Sequence, residues 1–226
     1  MTARLALAIL AIATGLAGAD PAPKAAPSDA PPASLLTGDA AHGAAIDPVF
    51  AHFQLARLSC KFSEEKRIAL LARPLRSTGT IFFDRDKGIA RTTLTPKVQQ
   101  VVLSKTTLRI RKGEHTEEIP LDKSKDLKAF ALIFPTLLRG ERSELERAFD
   151  VGLYGSDRDW WALAFTPKTD SLKKLVKRVV VFGKQGEVVA LQVTEASGDT
   201  TDTRLTEVRR NADVPDAELA AAFGAP

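Results

Sequence analysis

The stretch Thr78-Gly79-Thr80-Ile81-Phe82-Phe83-Asp84-Arg85-Asp86-Lys87-Gly88, followed by Ile89 to Leu94, decides the fold. Two runs of strand-forming residues flank a polar, glycine-closed turn, which is the pattern of a β-hairpin. Outward from it, Pro96 stops the second run, and Val98 to Leu103 and Thr107 to Arg111 follow, parted by Ser104-Lys105-Thr106. The turn Lys112-Gly113-Glu114 leads into Thr116 to Ile119. Beyond the middle of the chain, strands are expected at Asp150 to Tyr154, Trp160 to Phe165, Leu175 to Phe182, Val188 to Thr194 and Asp202 to Val208. About ten strands at such short, regular spacing predict an antiparallel meander.

Three segments carry helical spacing instead. Asp47-Pro48 reads as a cap and first turn. Val49, Phe50, Phe53, Ala56, Arg57 and Cys60 then predict one N-terminal helix ending near Phe62. Leu127 to Leu138, with Phe130, Ala131, Phe134, Leu137 and Leu138 on one stripe, predicts a second helix bent at Pro135. After Gly140, Ser143 to Phe149 predicts a third, with Ser143 and Glu146 as a capping box. In the tail only Val214 and Phe223 remain as apolar anchors. The fold class is therefore α+β, mainly β. A large antiparallel sheet must cover its apolar face with the available helices. Strongly twisted sheets of this size curl, which leaves a concavity suited to an apolar ligand.

The ends and the composition narrow the setting. Arg4, the apolar run Leu5 to Leu16 and Ala17-Gly18-Ala19 predict a secretory signal peptide (residues 1–19) cleaved after Ala19. The run is too short to span a bilayer comfortably, which takes roughly 20 residues, and an uncleaved membrane anchor is the competing reading. Residues 20–46, rich in Ala and Pro, predict a disordered linker, and 47–226 a single domain. The net charge is +4, with basic pairs at Lys173-Lys174, Lys177-Arg178 and Arg209-Arg210. Nucleic acid is not an expected partner, because no stacking aromatics lie among those charges. Anionic lipid head groups are a physically reasonable one, and a merely solvated basic face is the competing explanation.

Enzyme chemistry has little to stand on. His42, His52 and His115 have no companions at metal-ligand spacing, and the only cysteine, Cys60, is expected in the core. Asp157, Asp159 and Asp199 lie in loops, where acids commonly brace a turn. Gly152 and Gly155 lack the strand–loop–helix context of a phosphate loop. Trp160 and Trp161 should face opposite sides of one strand. No catalytic residue, metal site or cofactor is expected.

Several of these strings resemble the LolA-like lipoprotein-carrier family of the LolA/LolB superfamily. They are Phe62-Ser63-Glu64-Glu65-Lys66, Pro74 to Arg85 with its Ser-x-Gly strand, Thr92 to Pro96, and Trp161-Ala162-Leu163-Ala164-Phe165-Thr166-Pro167-Lys168. The paired-strand pattern of Val179 to Phe182 and Gly186 to Glu195 follows in order, then Gly198-Asp199-Thr200-Thr201, Asn211, Val214 and Phe223. The resemblance implies an incomplete β-barrel with a helical lid over an apolar cavity. It further implies a periplasmic, monomeric carrier that takes lipoprotein acyl chains, or another lipid, from an inner-membrane exporter to an outer-membrane acceptor. Arg85 matches an arginine that holds the lid closed, with Asp86 where proline is usual and able to pair with it. Ile89 stands in place of an aromatic contact and Arg91 where tryptophan is common. The lid and cavity candidates are Arg85, Ile89, Phe130, Leu132, Phe134, Trp161 and Leu163. Two other readings stand beside this one: a sensing or scaffold module that binds a protein partner with the same fold, and a hydrolase with an unrecognised site.

Overall fold

The protein is described by a computed structural model covering residues 30–224, except Ser124 and Asp157. The expected signal peptide, the first part of the linker and Asp157 lie outside the described residues. Eleven strands form one antiparallel sheet: β1 (Arg57–Arg67), β2 (Leu75–Asp84), β3 (Gly88–Thr95), β4 (Gln99–Leu103), β5 (Thr107–Lys112), β6 (His115–Pro120), β7 (Phe149–Gly155), β8 (Trp160–Pro167), β9 (Val176–Lys184), β10 (Glu187–Glu195) and β11 (Thr200–Arg210). Their spatial order is β6-β5-β4-β3-β2-β1-β11-β10-β9-β8-β7, so β1 is central and the sheet stays unclosed between edges β6 and β7. The hairpin at 78–94 is formed as expected, with Phe83 opposite Ile89 and Asp84 opposite Gly88.

Connectivity fixes where the helices go. The chain leaves one edge at β6 and must return at the other edge as β7, so the segment between them crosses the open face of the curled sheet. It does so as α2 (Lys125–Ala131), α3 (Ile133–Leu138) and α4 (Arg142–Ala148), after α1 (Asp47–Phe50) near the N-terminus. All six residues of α3 are buried. Two further helices are α5 (Asp170–Lys173), whose Thr169 side chain caps Leu172 N, and α6 (Asp216–Phe223). The last was not expected from the tail. It lies over β2 and β3 on the convex side, and its Ala222 carbonyl accepts from Gln100 Nε2 at 2.9 Å.

Several expectations need correction. The N-terminal helix does not reach Phe62: α1 has four residues, Gln54 takes φ 84° and interrupts the helix, and Arg57 onward is the central strand. Leu58, Cys60 and Phe62 are buried because they alternate across a sheet, a pattern that short segments share with a helical stripe. The mid-chain helix breaks at Leu132 (φ −89°, ψ 2°), and Pro135 sits in the first turn of α3, where a missing N–H costs nothing. Ser143 caps nothing: Glu141 is the cap residue of α4, and Glu146 instead holds Arg142 Nε at 2.8 Å. The part of the linker from Ala33 is packed onto the domain. Leu35 and Leu36 lie against Ala162, Ala164 and Phe182 on the convex face, Ala41 pairs with Leu153, and Ile46 is fully buried.

Candidate functional site

Two buried clusters meet beneath the helical crossing. The larger joins β7–β11, β1 and β2 to α1, α2, α3 and α4 through residues such as Phe50, Phe130, Phe134, Leu145, Trp161 and Leu163. The smaller gathers Val101, Leu103, Leu108, Ile110 and Leu121 with Ala131 of α2, and Leu132 packs against it. A cavity marks the seam. It is walled by Ile81, Leu191, Phe134 and Pro135 on one side and by Val101, Leu103 and Ala131 on the other, with Ile89 between. Its volume is about 40 Å³. A water takes roughly 10–15 Å³ by that measure, so the seam holds a few waters' worth of space. Pockets that enclose whole ligands run to about 300–1,000 Å³. The interior beneath the helical crossing is thus nearly filled.

One wall of the seam is charged. On β1 the inward positions run Leu58, Cys60, Phe62, Glu64, Lys66, so the apolar alternation turns ionic towards the end of the strand. The Glu64 side chain is 2% exposed and forms an ion pair with Arg91, itself 8% exposed, whose Nη2 lies 3.0 Å away. Thr203 Oγ1 donates to Glu64 at 3.0 Å and Ser77 Oγ at 3.3 Å. The Arg91 guanidinium lies 4.2 Å from the centre of the Phe62 ring. Opposite Phe62 the sheet carries Gly79, where a Cβ would collide with that ring and with the Thr92 carbonyl. Glycine at this position lets ring and guanidinium stack. A second buried pair, Lys66 Nζ to Glu195 at 2.7 Å, continues the ionic band.

The structure sorts the seven candidates. Ile89 and Phe134 line the seam, and Leu132 stands at the α2–α3 break beside it. Phe130, Trp161 and Leu163 are buried in the larger cluster and do not reach the cavity. Arg85 sits in the β2–β3 turn. Its Nε donates to the Leu55 carbonyl at 3.2 Å, and its backbone amide donates to Ala56 O. Leu55 N and Gln54 N in turn donate to Leu138 O at the end of α3, so Arg85 touches the helical crossing through the 54–56 link. Asp86 does not pair with it; the Asp86 amide donates to the Asp84 carboxylate. Glu64, Arg91 and Thr203 were missed. The available signal was a run of charged residues at inward-facing positions of a strand.

Trp161 is fully buried, whereas Trp160 on the other face lies under Lys184 Nζ at 5.3 Å from its ring centre. His42 Nδ1 lies 2.9 Å from Val151 O, His52 packs against Gly186, and His115 is exposed at the start of β6. Among the described residues no three of His, Cys, Asp and Glu are grouped to hold a metal, and no helix is long and apolar enough to cross a membrane. Cys60 is buried, and desolvation pushes its thiol up from 9.0 to about 12. The folded chain therefore keeps this proton to higher pH than the unfolded chain, and stability falls as pH rises past 9.0 towards 12. A thiol reagent at mildly alkaline pH, about 8 and below the ordinary thiol value, should leave Cys60 unmodified until denaturant unfolds the chain. Cys60→Ala should flatten the alkaline loss of stability. Rapid labelling of the native protein would contradict this.

An unclosed, curled antiparallel sheet, bridged edge to edge by helices over an apolar seam, defines the half-barrel-and-lid class of proteins. This chain belongs to the outer membrane lipoprotein carrier protein LolA-like family, whose sequence model matches residues 34–224. No curated protein matches it. Similar solved structures include a LolA superfamily protein from Nitrosomonas europaea (10% identity, 77% of this chain and 97% of that one, TM-score 0.42). A DUF1329 family protein from Desulfovibrio piger is 11% identical over 79% and 98% of the two chains, with TM-score 0.45. The Pseudomonas aeruginosa MucA/MucB complex gives 15% identity, 77% of this chain and 58% of that one, with TM-score 0.44. At these values none of the three carries a functional argument.

Proposed function

We propose that the protein is a periplasmic carrier, not an enzyme, that shelters the acyl chain of a lipoprotein or another lipid by parting the seam between its two core clusters. The observation that supports this most is the seam itself: an apolar cavity placed under the helical segment that joins the two free edges of the sheet. Each methylene moved out of water contributes about 0.8 kcal/mol, so an opened seam lined by Ile89, Leu103 and Phe134 is a strong site for a hydrocarbon tail. The closed form must open first, and ligand then shifts the population towards the open form. An exporter in the inner membrane and an acceptor in the outer membrane would supply and receive the cargo. Titration of the protein with a fluorescent palmitoyl probe should show saturable, one-to-one binding. Ile89→Asp or Leu132→Asp should weaken it by about tenfold or more, because the cavity would then carry a desolvated charge. Absence of saturable binding, or equal binding by both variants, contradicts the proposal.

The nearly filled interior favours one second reading. A half-barrel that stays shut would serve as a sensing or scaffold module, recognising a protein partner with its outer surface. Stoichiometric capture of one protein by a form that takes up no acyl probe would select that reading.

A further inference from the structure

Four large apolar side chains are exposed among the described residues, and all four lie at one end of the sheet. Leu70 (94% exposed) and Leu71 (40%) occupy the link between β1 and β2; Leu94 (52%) and Val98 (68%) flank the link between β3 and β4. The antiparallel register places both links at the same end, since Lys66 pairs with Leu75 and Thr78 with Thr95. The two links are centred two strand spacings apart, roughly 10 Å.

The two apolar links themselves carry only basic charge: residues 68–74 hold Arg73, residues 94–98 hold Lys97, and neither stretch holds an Asp or Glu. Arg73 and Lys97 sit within the two apolar links. Lys173 and Lys174 reach the same end, because α5 leads into β9, where Val176 pairs with Glu195 just before the β10–β11 turn. Several of the acids close by are engaged, Asp170 with Lys173 Nζ at 3.2 Å among them, while Glu114 stands exposed near Val98. Asp199 accepts from Ala69 N at 3.1 Å, Asp202 from Arg67 Nη1 at 2.9 Å, and Glu195 holds Lys66.

We infer that this end of the sheet docks on the surface of an anionic phospholipid bilayer. Leu70, Leu71, Leu94 and Val98 enter the boundary between head groups and acyl chains, while Arg73 and Lys97 meet the phosphates. Two separate protruding tips suit a soft bilayer, which closes around each. A protein partner would need a complementary hollow for each tip, and protein surfaces meet most often as extended, closely packed patches. A bilayer interface rewards buried apolar area and, when anionic, nearby basic side chains together. The inference does not depend on cargo, so it stands or falls apart from acyl-chain carriage.

The test is vesicle flotation of the protein recovered from the periplasm of an expressing host. One set of vesicles is phosphatidylcholine alone and the other an equal mixture of phosphatidylcholine and phosphatidylglycerol. The protein should float with the mixed vesicles, more weakly as salt rises, and less with phosphatidylcholine alone. The combined variant Leu70→Asp, Leu71→Asp, Val98→Asp should partition about tenfold less or weaker still. Arg73→Gln with Lys97→Gln should abolish the preference for phosphatidylglycerol. These side chains are exposed, so the melting temperature should not change. Leu70→Trp, read as a difference from the parent chain, should shift its emission to shorter wavelength on the mixed vesicles. Failure of the parent chain to float overturns the inference. So does undiminished flotation of the Asp variant, or an unshifted emission difference when the Leu70→Trp variant is bound. Binding of the tips to a purified protein without any vesicle binding also overturns it.

Discussion

Replacing Gly183 with alanine should cost the fold about 3 kcal/mol or more and abolish the near-ultraviolet signature of Trp161. Gly183 lies directly opposite Trp161 across β8 and β9, and a Cβ at position 183 would come within 1.9 Å of the indole ring. Trp161 is fully buried and meets Phe53 edge to face at 6.0 Å, so it has no free space into which to retreat. Overpacking usually costs about 1–3 kcal/mol. Here the intruding atom overlaps a rigid ring, which places the loss at or above the upper end. The check is a denaturant titration of Gly183→Ala beside near-ultraviolet circular dichroism. Adding Trp161→Leu to the same chain should recover part of the stability, since a smaller side chain vacates the clash. An unchanged midpoint for Gly183→Ala would contradict the packing described here.

Removal of Glu64 alone should be comparably severe. Breaking a buried ion pair from one side typically costs about 3–5 kcal/mol, because the remaining charge stays desolvated. Glu64→Ala also strands the hydroxyls of Ser77 and Thr203, which donate to its carboxylate. Replacing both partners, Glu64→Leu with Arg91→Met, should cost much less than Glu64→Ala. The stacked ring of Phe62 offers an apolar surface to either replacement, and apolar substitution of a whole buried pair is often neutral or stabilising. A double-mutant cycle measured by chemical denaturation separates these outcomes. If the double replacement is as damaging as Glu64→Ala, the pair contributes through something other than mutual compensation of charge.

Gly183 and Glu64 belong to the parts of the fold that residue pattern encodes least. Period-two alternation made the first strand of the hairpin at 78–94 legible. Most of the later strands were legible as short apolar runs rich in β-branched and aromatic residues and bounded by glycine or proline, with both faces buried in β8 and β9. The central strand was hidden. Its inward positions end in Glu64 and Lys66, whose charges break the apolar alternation that identifies a half-buried strand. Val49, Phe50, Phe53, Ala56 and Cys60 meanwhile fit helical spacing across what is in fact a turn at Gln54. Both periods fit a short segment equally well, and only pairing with β2 and β11 decides between them.

The site was legible to a similar degree. Helical spacing at 127–138 located the crossing segment, and the hairpin located Ile89, so the residues on either side of the seam were named. Trp161 and Leu163 were on the correct strand, but that strand faces the larger cluster at a distance from the cavity. Arg85 was expected at the lid and instead reaches it through backbone groups of residues 54–56, contacts between segments that no local spacing encodes. The ionic wall of Glu64 and Arg91 depends on three strands from distant parts of the chain, which is why residue pattern alone did not assemble it.

Carriage requires that the seam between the two core clusters part to admit a hydrocarbon tail. Spin labels attached through Glu144→Cys on α4 and Lys112→Cys at the end of β5 would span it from exposed positions on its two sides. Native Cys60 should stay unlabelled, because burial keeps its thiol protonated up to about 12. Pulsed dipolar measurement of the label-to-label distance, with and without saturating palmitoyl probe, tests this opening most directly. A longer distance population that grows with bound probe is predicted. A single short distance, unchanged at saturation, would contradict it.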